Sequence, residues 1–469
     1  MLWNKLCFVT VVLFAYCNGA NILLAPLDSG FSSRITNIIK LGDLLLGKGH
    51  SISFLCSDDL LQSPIFNLSR TSKITKVVQQ FNVIIYKIPP VDKNQVDFTS
   101  NQEMLNAVTG MPYSEILKMS GINYMPEEFR VTLEDSNTWN QLNQQKFDVI
   151  IADEYKAAAR VLGAHFNVPV IAYINWGPVS MVGGLLYPIN PSYMPLDFSP
   201  RATSDKMDIY QRFDNLWEYL KYSYYNNIIL EKMKKICLSN EYIKPEACDN
   251  ILDFYKTVSL VLMNRNDVLN YPAPFMPHMV SVEGFFLDKP KPLTGIYKES
   301  VEKSKEHGVI VVSFGSLFRK LPSETAEIFA KAFARMDQTV IWSYEGPTPE
   351  GLGSNTVIRN WIPQNDILAH PYVKLFVHQC GMSGTFETLN YAIPNIGIPF
   401  WVDQFYNCEK LANRVGSGKY LNLKGLTSAE LRTAMDEVIS NATYKKNAQK
   451  AADIYHNQPI DPKKKLCIG

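Results

Sequence analysis

The sequence carries almost no net charge, because 46 lysine and arginine residues are balanced by 45 aspartate and glutamate residues. It also lacks a basic stripe, which is the electrostatic footprint of proteins that bind nucleic acids. We therefore expect small-molecule partners and no nucleic acid. A hydrophobic fraction of 46% and a charged fraction of 19% exclude a disordered chain. A length of 469 residues exceeds one ordinary core, so two or three domains are expected.

Apolar runs long enough to span a membrane are missing. Residues 1–20 place Lys5 before a short uncharged apolar run and end on small residues, which is typical of a cleavable secretory signal. An uncleaved anchor is the alternative, although the run is short for a bilayer. A second charge-free run, 168–196, is interrupted by prolines and glycines and predicts a buried strand followed by an apolar loop around Trp176 to Leu186. Such a loop could line a pocket for a lipophilic ligand or contact a membrane surface.

Cysteine spacing excludes the common metal sites. Removal of residues 1–20 leaves six cysteines, and none of them stands in a CxxC or Cys/His pattern typical of a metal site. Cys237 and Cys248 lie 11 residues apart between helix-like segments and could form a disulfide in an oxidising lumen. Free buried thiols are the alternative.

What the sequence does contain is a regular alternation of short apolar strands with helix-periodic segments. NILLAPL, a helix from Arg34 to Lys48 and SISFLC make the first such unit, and the strand FDVIIA ends on Asp153. A Pro- and Lys-rich linker near Asp288 precedes a second run of the same alternation. We predict an α/β protein whose two Rossmann-like lobes, residues 21–288 and 289–456, face each other across a cleft, with a tail at 457–469.

Three residues of the second lobe stand where a diphosphate could bind. Ser316 follows the strand VIVVSF, and Gly381 and Ser383 precede a helix. The carboxyl ends of parallel strands gather ligands, and backbone N–H groups at a helix N-terminus favour an anion. The spacing therefore predicts a phosphate site at this edge of the sheet.

Four further residues could contact the rest of a nucleotide-linked ligand. Glu387, one turn into the same helix, could accept hydrogen bonds from a ribose diol, and Trp361 could stack on a base. Asp403 and Gln404 follow a strand and suit a polyol. Three of them have an alternative: Trp361 as core, Glu387 as a solvated helix charge, and Asp403 as an N-cap for the next helix.

The motif that joins these positions, WIPQNDILAHP through IPFWVDQ, resembles the signature of the UDP-glycosyltransferases. The resemblance extends to the signal, to residues 190–215 and to the stretches VSFGS and YPAPFMP, and so covers almost the whole chain. It points to the eukaryotic, membrane-type branch. It implies a GT-B fold, an acceptor-binding first lobe, a second lobe that binds a UDP-sugar without a metal, and inversion at the anomeric carbon.

The resemblance also implies a role for each matching position. The uracil would stack on Trp361, and the ribose would be held by Gln364 and Glu387. The diphosphate would lie against Ser316, Gly381 and Ser383, and the sugar hydroxyls against Asp403 and Gln404. With no metal to neutralise the leaving diphosphate, the helix N-terminus and nearby donors would have to do so.

The first departure from the family pattern is in the phosphate turn. The family's signature histidine aligns with Gln379, whose amide can still donate, so we expect UDP binding to survive in weakened form. His378 stands one place earlier, where strand alternation turns it away from that face. Cys380 replaces a usual glycine and would add a side chain near the phosphate path.

The second departure is at the catalytic base. The family's histidine aligns with Arg34, which cannot accept a proton at any working pH. Asp153, at the position of the aspartate that orients the histidine, is retained, and we predict an Arg34–Asp153 ion pair. Asp153, or a water that it holds, could act as a weak base for an acidic acceptor. His50, at a helix-to-strand corner, is predicted to be structural.

Two functions follow as hypotheses. The leading one is a UDP-glycosyltransferase of the secretory pathway, luminal or secreted, that moves a hexose to a small lipophilic acceptor in the first lobe. The rival is a catalytically impaired member that binds a UDP-sugar or a lipophilic ligand, which Arg34 and Gln379 favour. Relatives of the membrane-type branch continue into a transmembrane anchor, whereas this sequence ends at DPKKKLCIG. A soluble luminal form and an incomplete gene product are the two interpretations of that end.

Overall fold

The computed structural model describes residues 19–27, 32–62, 73–88, 102–175, 190–197, 199, 204–252 and 258–466. The predicted signal, apart from its last two residues, and the apolar loop around Trp176 to Leu186 lie outside these ranges. Within the described ranges the chain forms two parallel sheets that are flanked by helices. The two predicted lobes of alternating strands and helices are therefore present.

The first lobe is built on a parallel sheet in the order β3-β2-β1-β4-β5-β6-β7. Its strands are β1 (Asn21–Ala25), β2 (Ser51–Ser57), β3 (Asn82–Tyr86), β4 (Val149–Asp153), β5 (Val170–Ile174), β6 (Val258–Met263) and β7 (Met279–Ser281). Its helices are α1 (Ser32–Leu46), α2 (Asp58–Gln62), α3 (Lys73–Val78), α4 (Gln102–Val108), α5 (Tyr113–Ile116), α6 (Ile122–Glu134), α7 (Ser136–Asn143), α8 (Ala157–Phe166), α9 (Ile209–Leu238) and α10 (Pro245–Cys248).

The second lobe is built on a parallel sheet in the order β10-β9-β8-β11-β12-β13. Its strands are β8 (Val309–Ser313), β9 (Thr339–Ser343), β10 (Thr356–Arg359), β11 (Val373–His378), β12 (Asn395–Gly397) and β13 (Gly418–Tyr420). Its helices are α11 (Gly295–Lys303), α12 (Ser323–Phe333), α13 (Gln364–Leu368), α14 (Met382–Asn390), α15 (Gln404–Glu409), α16 (Ser428–Ser440) and α17 (Ala442–His456). A last helix, α18 (Pro462–Lys465), belongs to the tail, and its lysines donate to the Leu287 carbonyl and to Glu283 of the first lobe.

The central strands are buried on both faces, which is why they read as continuous apolar runs. All five residues of β8 (VIVVS) are buried, as are four of the five residues of β1. Helices on both faces of a parallel sheet produce this pattern. The strand order reverses beside β1 and β8, and the crevice at such a reversal is where ligands of α/β sheets bind.

The helical segment between Ile122 and Asn143 is divided in two. The structure ends α6 at Glu134 and begins α7 at Ser136. Asp135 between them has an extended backbone, and its carboxylate accepts a hydrogen bond from the Thr138 N–H at 3.1 Å. The N-cap preference of aspartate explains the break.

Within the described ranges, no helix is both long enough and apolar enough to cross a bilayer.

Candidate functional site

A cavity of about 600 Å³ lies between the two lobes. The first lobe contributes residues of α1 between Ser33 and Asp43 and residues of α3, and the second lobe contributes the loops at the carboxyl ends of its strands. Of the residues predicted from the sequence, those that line the cavity are Arg34, Ser316, Trp361, Gln364, Gln379, Gly381, Ser383, Glu387, Asp403 and Gln404. Asp153 is held behind Arg34. Residues that are up to 370 positions apart in the sequence thus surround one space.

The lining of the cavity includes an exposed indole and a buried carboxyl. Trp361 is 61% exposed, so it is not a core residue, and its carbonyl accepts a hydrogen bond from the Tyr297 hydroxyl at 2.9 Å. Glu387 is only 8% exposed and accepts a hydrogen bond from the Gln364 amide, so it is not a solvated helix charge. Burial raises the pKa of Glu387 to about 7, while the Gln364 hydrogen bond and the charge of Lys40 act in the opposite direction. A neutral hydrogen-bond donor, such as a diol, suits this buried carboxyl.

The turn between β11 and α14 is shaped by two glycines. Gly381 is the N-cap residue of α14, and Gly315, with φ 75°, follows β8 on the neighbouring strand. A Cβ at either position would meet the Gln379 side-chain amide. The glycines therefore leave room for Gln379 at the N-terminus of α14, where N–H groups point toward the cavity.

His378 is turned away from the cavity, as strand alternation predicts. Its ring is fully buried and stacks on Phe376, with 4.3 Å between ring centroids. Burial lowers the pKa of His378 to about 3, and neither ring nitrogen has a hydrogen-bond partner within the described ranges. This histidine is a neutral core residue.

Cys380 does not project toward the phosphate turn, contrary to the expectation from the sequence. It forms a disulfide with Cys408 of α15, and both residues are buried. The sulfurs lie over Gly397 of β12, where a Cβ would collide with them. The pairing was not predicted, because a separation of 28 residues carries no local signal.

Cys237 and Cys248, for which the sequence left a disulfide and free thiols open, form a disulfide.

The lining also includes a buried carboxylate and an oriented amide. The Gln404 carbonyl oxygen accepts hydrogen bonds from the N–H groups of Phe400 at 2.9 Å and Trp401 at 3.1 Å, which leaves the Gln404 NH2 group without a partner in the described residues. Asp403 holds the N-cap position of α15 but makes no side-chain capping bond. Instead it accepts a hydrogen bond from Asn407 at 2.7 Å. Asp403 therefore stands at the N-cap position, as the alternative predicted, but its side chain does not cap the helix.

A buried lysine stands behind Asp403. Lys410 is fully buried, and its ammonium lies 4.3 Å from the centroid of the Tyr406 ring. Burial lowers the pKa of Lys410, and the charges of Asp197 and Asp403 oppose that shift. Burial likewise raises the pKa of Asp403 to about 6, and Lys410 opposes it. The charge of Lys410 favours the ionised form of Asp403, which burial alone would disfavour.

On the opposite wall the predicted Arg34–Asp153 ion pair is present. The Arg34 Nε donates to Asp153 Oδ2 at 2.7 Å, and Nη2 donates to Asp153 Oδ1 and, at 3.0 Å, to Glu154 Oε1. The Arg34 side chain is 2% exposed. Burial alone would lower the pKa of Arg34, but the carboxylates of Asp153 and Glu154 outweigh it and raise that pKa above its ordinary value. Arg34 is therefore a permanent cation with both carboxylates held against it.

Three polar residues of the same wall were missed. Asn37, Lys40 and Asp43 follow Arg34 at intervals of three along α1, and all four line the cavity. Lys40 also donates to Asp288 Oδ2 at 2.8 Å, at the predicted lobe boundary. The three-residue spacing of polar side chains on an otherwise apolar helix was a usable signal. His50 accepts a hydrogen bond from the Ala20 N–H at 3.0 Å and does not line the cavity, in line with the predicted structural role.

Comparison with known families gives a match over nearly the whole chain. The family model described as "UDP-glucoronosyl and UDP-glucosyl transferase" matches residues 20–467. Among curated relatives, UDP-glucuronosyltransferase 1A3 of Rattus norvegicus is 30% identical over 68% of this chain and 59% of its own length. UDP-glucuronosyltransferase 2A1 of Mus musculus is 27% identical over 97% of this chain and 85% of its own length. The alignment thus leaves a part of each relative unmatched.

Solved structures give the same fold. The glycosyltransferase VinC, solved in complex with DTDP, superposes with a TM-score of 0.61 at 13% identity, covering 95% of this chain and 98% of that one. CalG4, the calicheamicin glycosyltransferase, superposes with a TM-score of 0.60 at 15% identity, covering 93% and 94%. These likenesses concern the fold alone, and they confirm the two-lobed GT-B architecture.

Proposed function

Because this chain belongs to the family of UDP-glucuronosyl and UDP-glucosyl transferases, we propose that it binds a UDP-sugar in the cavity and transfers the hexosyl group, with inversion, to a small lipophilic acceptor. The observation that carries the proposal is the gathering of the predicted donor residues around one space of about 600 Å³. That volume suits a nucleotide-sized ligand.

In the proposed complex the donor lies along the second lobe. The uracil stacks on Trp361, and the ribose diol donates to the buried Glu387 carboxyl. The diphosphate meets the N-terminus of α14 and the Gln379 amide. The donor site works without a metal in this proposal, so these groups stabilise the charge that develops on the leaving diphosphate.

The sugar lies at the Asp403 end of the cavity. The Asp403 carboxylate accepts hydrogen bonds from sugar hydroxyls, and the Gln404 NH2 group donates to them. Gln404 is held in place by two backbone N–H groups, so its donor direction is fixed before the sugar arrives. Such preorganisation favours one orientation of the anomeric carbon toward the first lobe.

The acceptor faces Arg34, and this residue narrows the acceptor class. A guanidinium held by two carboxylates cannot take a proton from an attacking hydroxyl. We therefore infer acceptors whose nucleophile is acidic, such as a phenol or a carboxylic acid, because they need little help from a base. A UDP-sugar or lipophilic-ligand binding protein without turnover is the second candidate, and the closed Arg34–Asp153 pair is the observation that favours it.

We also include in the proposal a peripheral contact with a membrane surface. All exposed residues of α9 between Ile209 and Tyr224 are apolar or aromatic, and Trp217 is 52% exposed. Aromatic and aliphatic side chains along one helix face suit the boundary between headgroups and acyl chains. A lipophilic acceptor could enter from that surface.

Calorimetric titration with UDP and with UDP-glucose tests the donor site. We expect saturable heat with a dissociation constant below about 1 mM. Absence of heat at millimolar nucleotide would refute the transferase and the UDP-sugar-binding alternative together. Turnover with phenol, carboxylic acid and alcohol acceptors then separates the two: transfer to acidic acceptors supports the enzyme, and binding without transfer supports the second candidate.

A further inference from the structure

The phosphate turn and the sugar-binding helix are joined by a covalent link. Cys380 directly precedes Gly381, the N-cap residue of α14, and Cys408 lies in α15, which begins at Gln404. The disulfide between them therefore connects the segment proposed to hold the diphosphate to the segment proposed to hold the sugar. Both sulfur-bearing residues are buried, so the link lies beneath the cavity floor and leaves the cavity itself open.

A side-chain amide makes the same connection without a covalent bond. The Asn407 Nδ2 donates to the Cys380 carbonyl at 3.0 Å and to Asp403 Oδ2 at 2.7 Å. Asn407 is fully buried. One amide thus fixes the backbone of the turn and the orientation of the carboxylate together.

The backbone at the turn is one that a cysteine seldom adopts. Cys380 has φ 61°, in the left-handed region that favours glycine. The bond to Cys408 and the hydrogen bond from Asn407 to the Cys380 carbonyl both hold the residue in place. The sequence thus places a strained residue next to Gln379 and Gly381, where backbone N–H direction decides phosphate contact.

We propose that the Cys380–Cys408 disulfide and the Asn407 amide act as positioning groups that fix the phosphate turn relative to Asp403, and that donor affinity depends on this connection. The inference rests on the proposed UDP-sugar site. None of the three residues touches the ligand in this scheme. Their effect is transmitted through the direction of the α14 N-terminus and through the Asp403 carboxylate.

The test uses a matched pair of disulfide deletions in the full chain. Cys380→Gly with Cys408→Ala removes the link but supplies the residue that φ 61° favours, so the fold is expected to form. Cys237→Ala with Cys248→Ala removes the other disulfide, whose cysteines do not line the cavity. Titration calorimetry gives dissociation constants for UDP and UDP-glucose, and thermal unfolding gives the stability of each protein.

We expect the Cys380→Gly/Cys408→Ala variant to lose about tenfold or more in UDP-glucose affinity, while the other deletion lowers only thermal stability. If turnover is found, the donor KM should rise and the acceptor KM should not. Asn407→Ala, which keeps the disulfide, should weaken UDP-glucose more than UDP, because it frees Asp403. UDP-glucose affinities within about twofold of the parent for both donor-lobe variants overturn the inference. Failure of the parent protein to bind UDP overturns the proposed function instead.

Discussion

Arg34→His is the substitution that most directly tests the role of the first lobe. The structure places Asp153 within 2.7 Å of the Arg34 Nε, so an imidazole at position 34 would have a carboxylate partner ready to orient it. A neutral imidazole accepts a proton, whereas the guanidinium cannot. We expect kcat/KM for a neutral alcohol acceptor to rise by ~10²–10⁴-fold, which corresponds to ~2.7–5.5 kcal/mol of barrier.

The same change should reduce stability by a bounded amount. Arg34 donates three hydrogen bonds to Asp153 and Glu154, and an imidazole can keep one of them. Loss of two bonds to charged groups at ~1.5–3 kcal/mol each gives a cost of about 3–6 kcal/mol. Arg34→Gln is the matched control, since it loses the cation and gains no base. It should show a comparable loss of stability with no gain on alcohols.

The pH profile gives an independent check on the introduced base. An imidazole has an ordinary pKa of ~6.5, and a neighbouring carboxylate raises it. Only the neutral form accepts a proton, so kcat/KM of the variant should rise with pH through about 7 and then level off. Adding Asp153→Asn should remove most of the gain. A gain in kcat/KM below about tenfold, in an Arg34→His protein that binds UDP normally, would refute the inference that position 34 is where a base is missing.

Three further predictions concern the donor cavity and the α9 surface. Trp361→Ala should weaken UDP binding by ~1–3 kcal/mol in calorimetry, because base stacking is lost, with little change in thermal stability because the indole is exposed. Glu387→Gln should stabilise the protein by up to about 3 kcal/mol at pH 7.5, because burial raises the folded-state pKa to about 7 from an unfolded value near 4.5. Phe213→Asp with Trp217→Asp should abolish cosedimentation with phosphatidylcholine vesicles while leaving UDP affinity unchanged.

Each of these has a clear contrary outcome. Trp361→Phe should retain most of the affinity, and equal loss in the Phe and Ala variants would argue against stacking. Between pH 4.5 and about 7 the Glu387 carboxyl is protonated in the folded state and ionised in the unfolded state. The free energy of unfolding of the wild type should therefore decrease as the pH rises through that window, and that of the Gln variant should not. Parallel pH curves would contradict this. Vesicle binding that survives both aspartate substitutions would remove α9 from the membrane proposal.

The sequence alone determined most of the helices and strands and which residues would follow the strand ends, since both are local patterns. Strand alternation placed His378 away from the cavity, and the strand ends predicted where Ser316, Gly381 and Asp403 would gather. Periodicity also gave two parallel sheets, because strands that are buried on both faces read as continuous apolar runs.

Only the tertiary structure decided which side chains meet across the sheets. The Cys380–Cys408 disulfide, the contact of Arg34 with Glu154, and the burial that raises the pKa of Glu387 all depend on the order in which strands and helices pack. Cys380 and Cys408 are 28 residues apart in the sequence, and Arg34 and Glu154 are 120 apart. The sheet topology brings each pair into contact, and no periodic pattern in the sequence predicts it. The sequence could therefore predict the Arg34–Asp153 ion pair and the changed residue at Gln379. The packing determined that Glu154 joins the ion pair and that the turn at Cys380 is tied to Asp403 through Asn407.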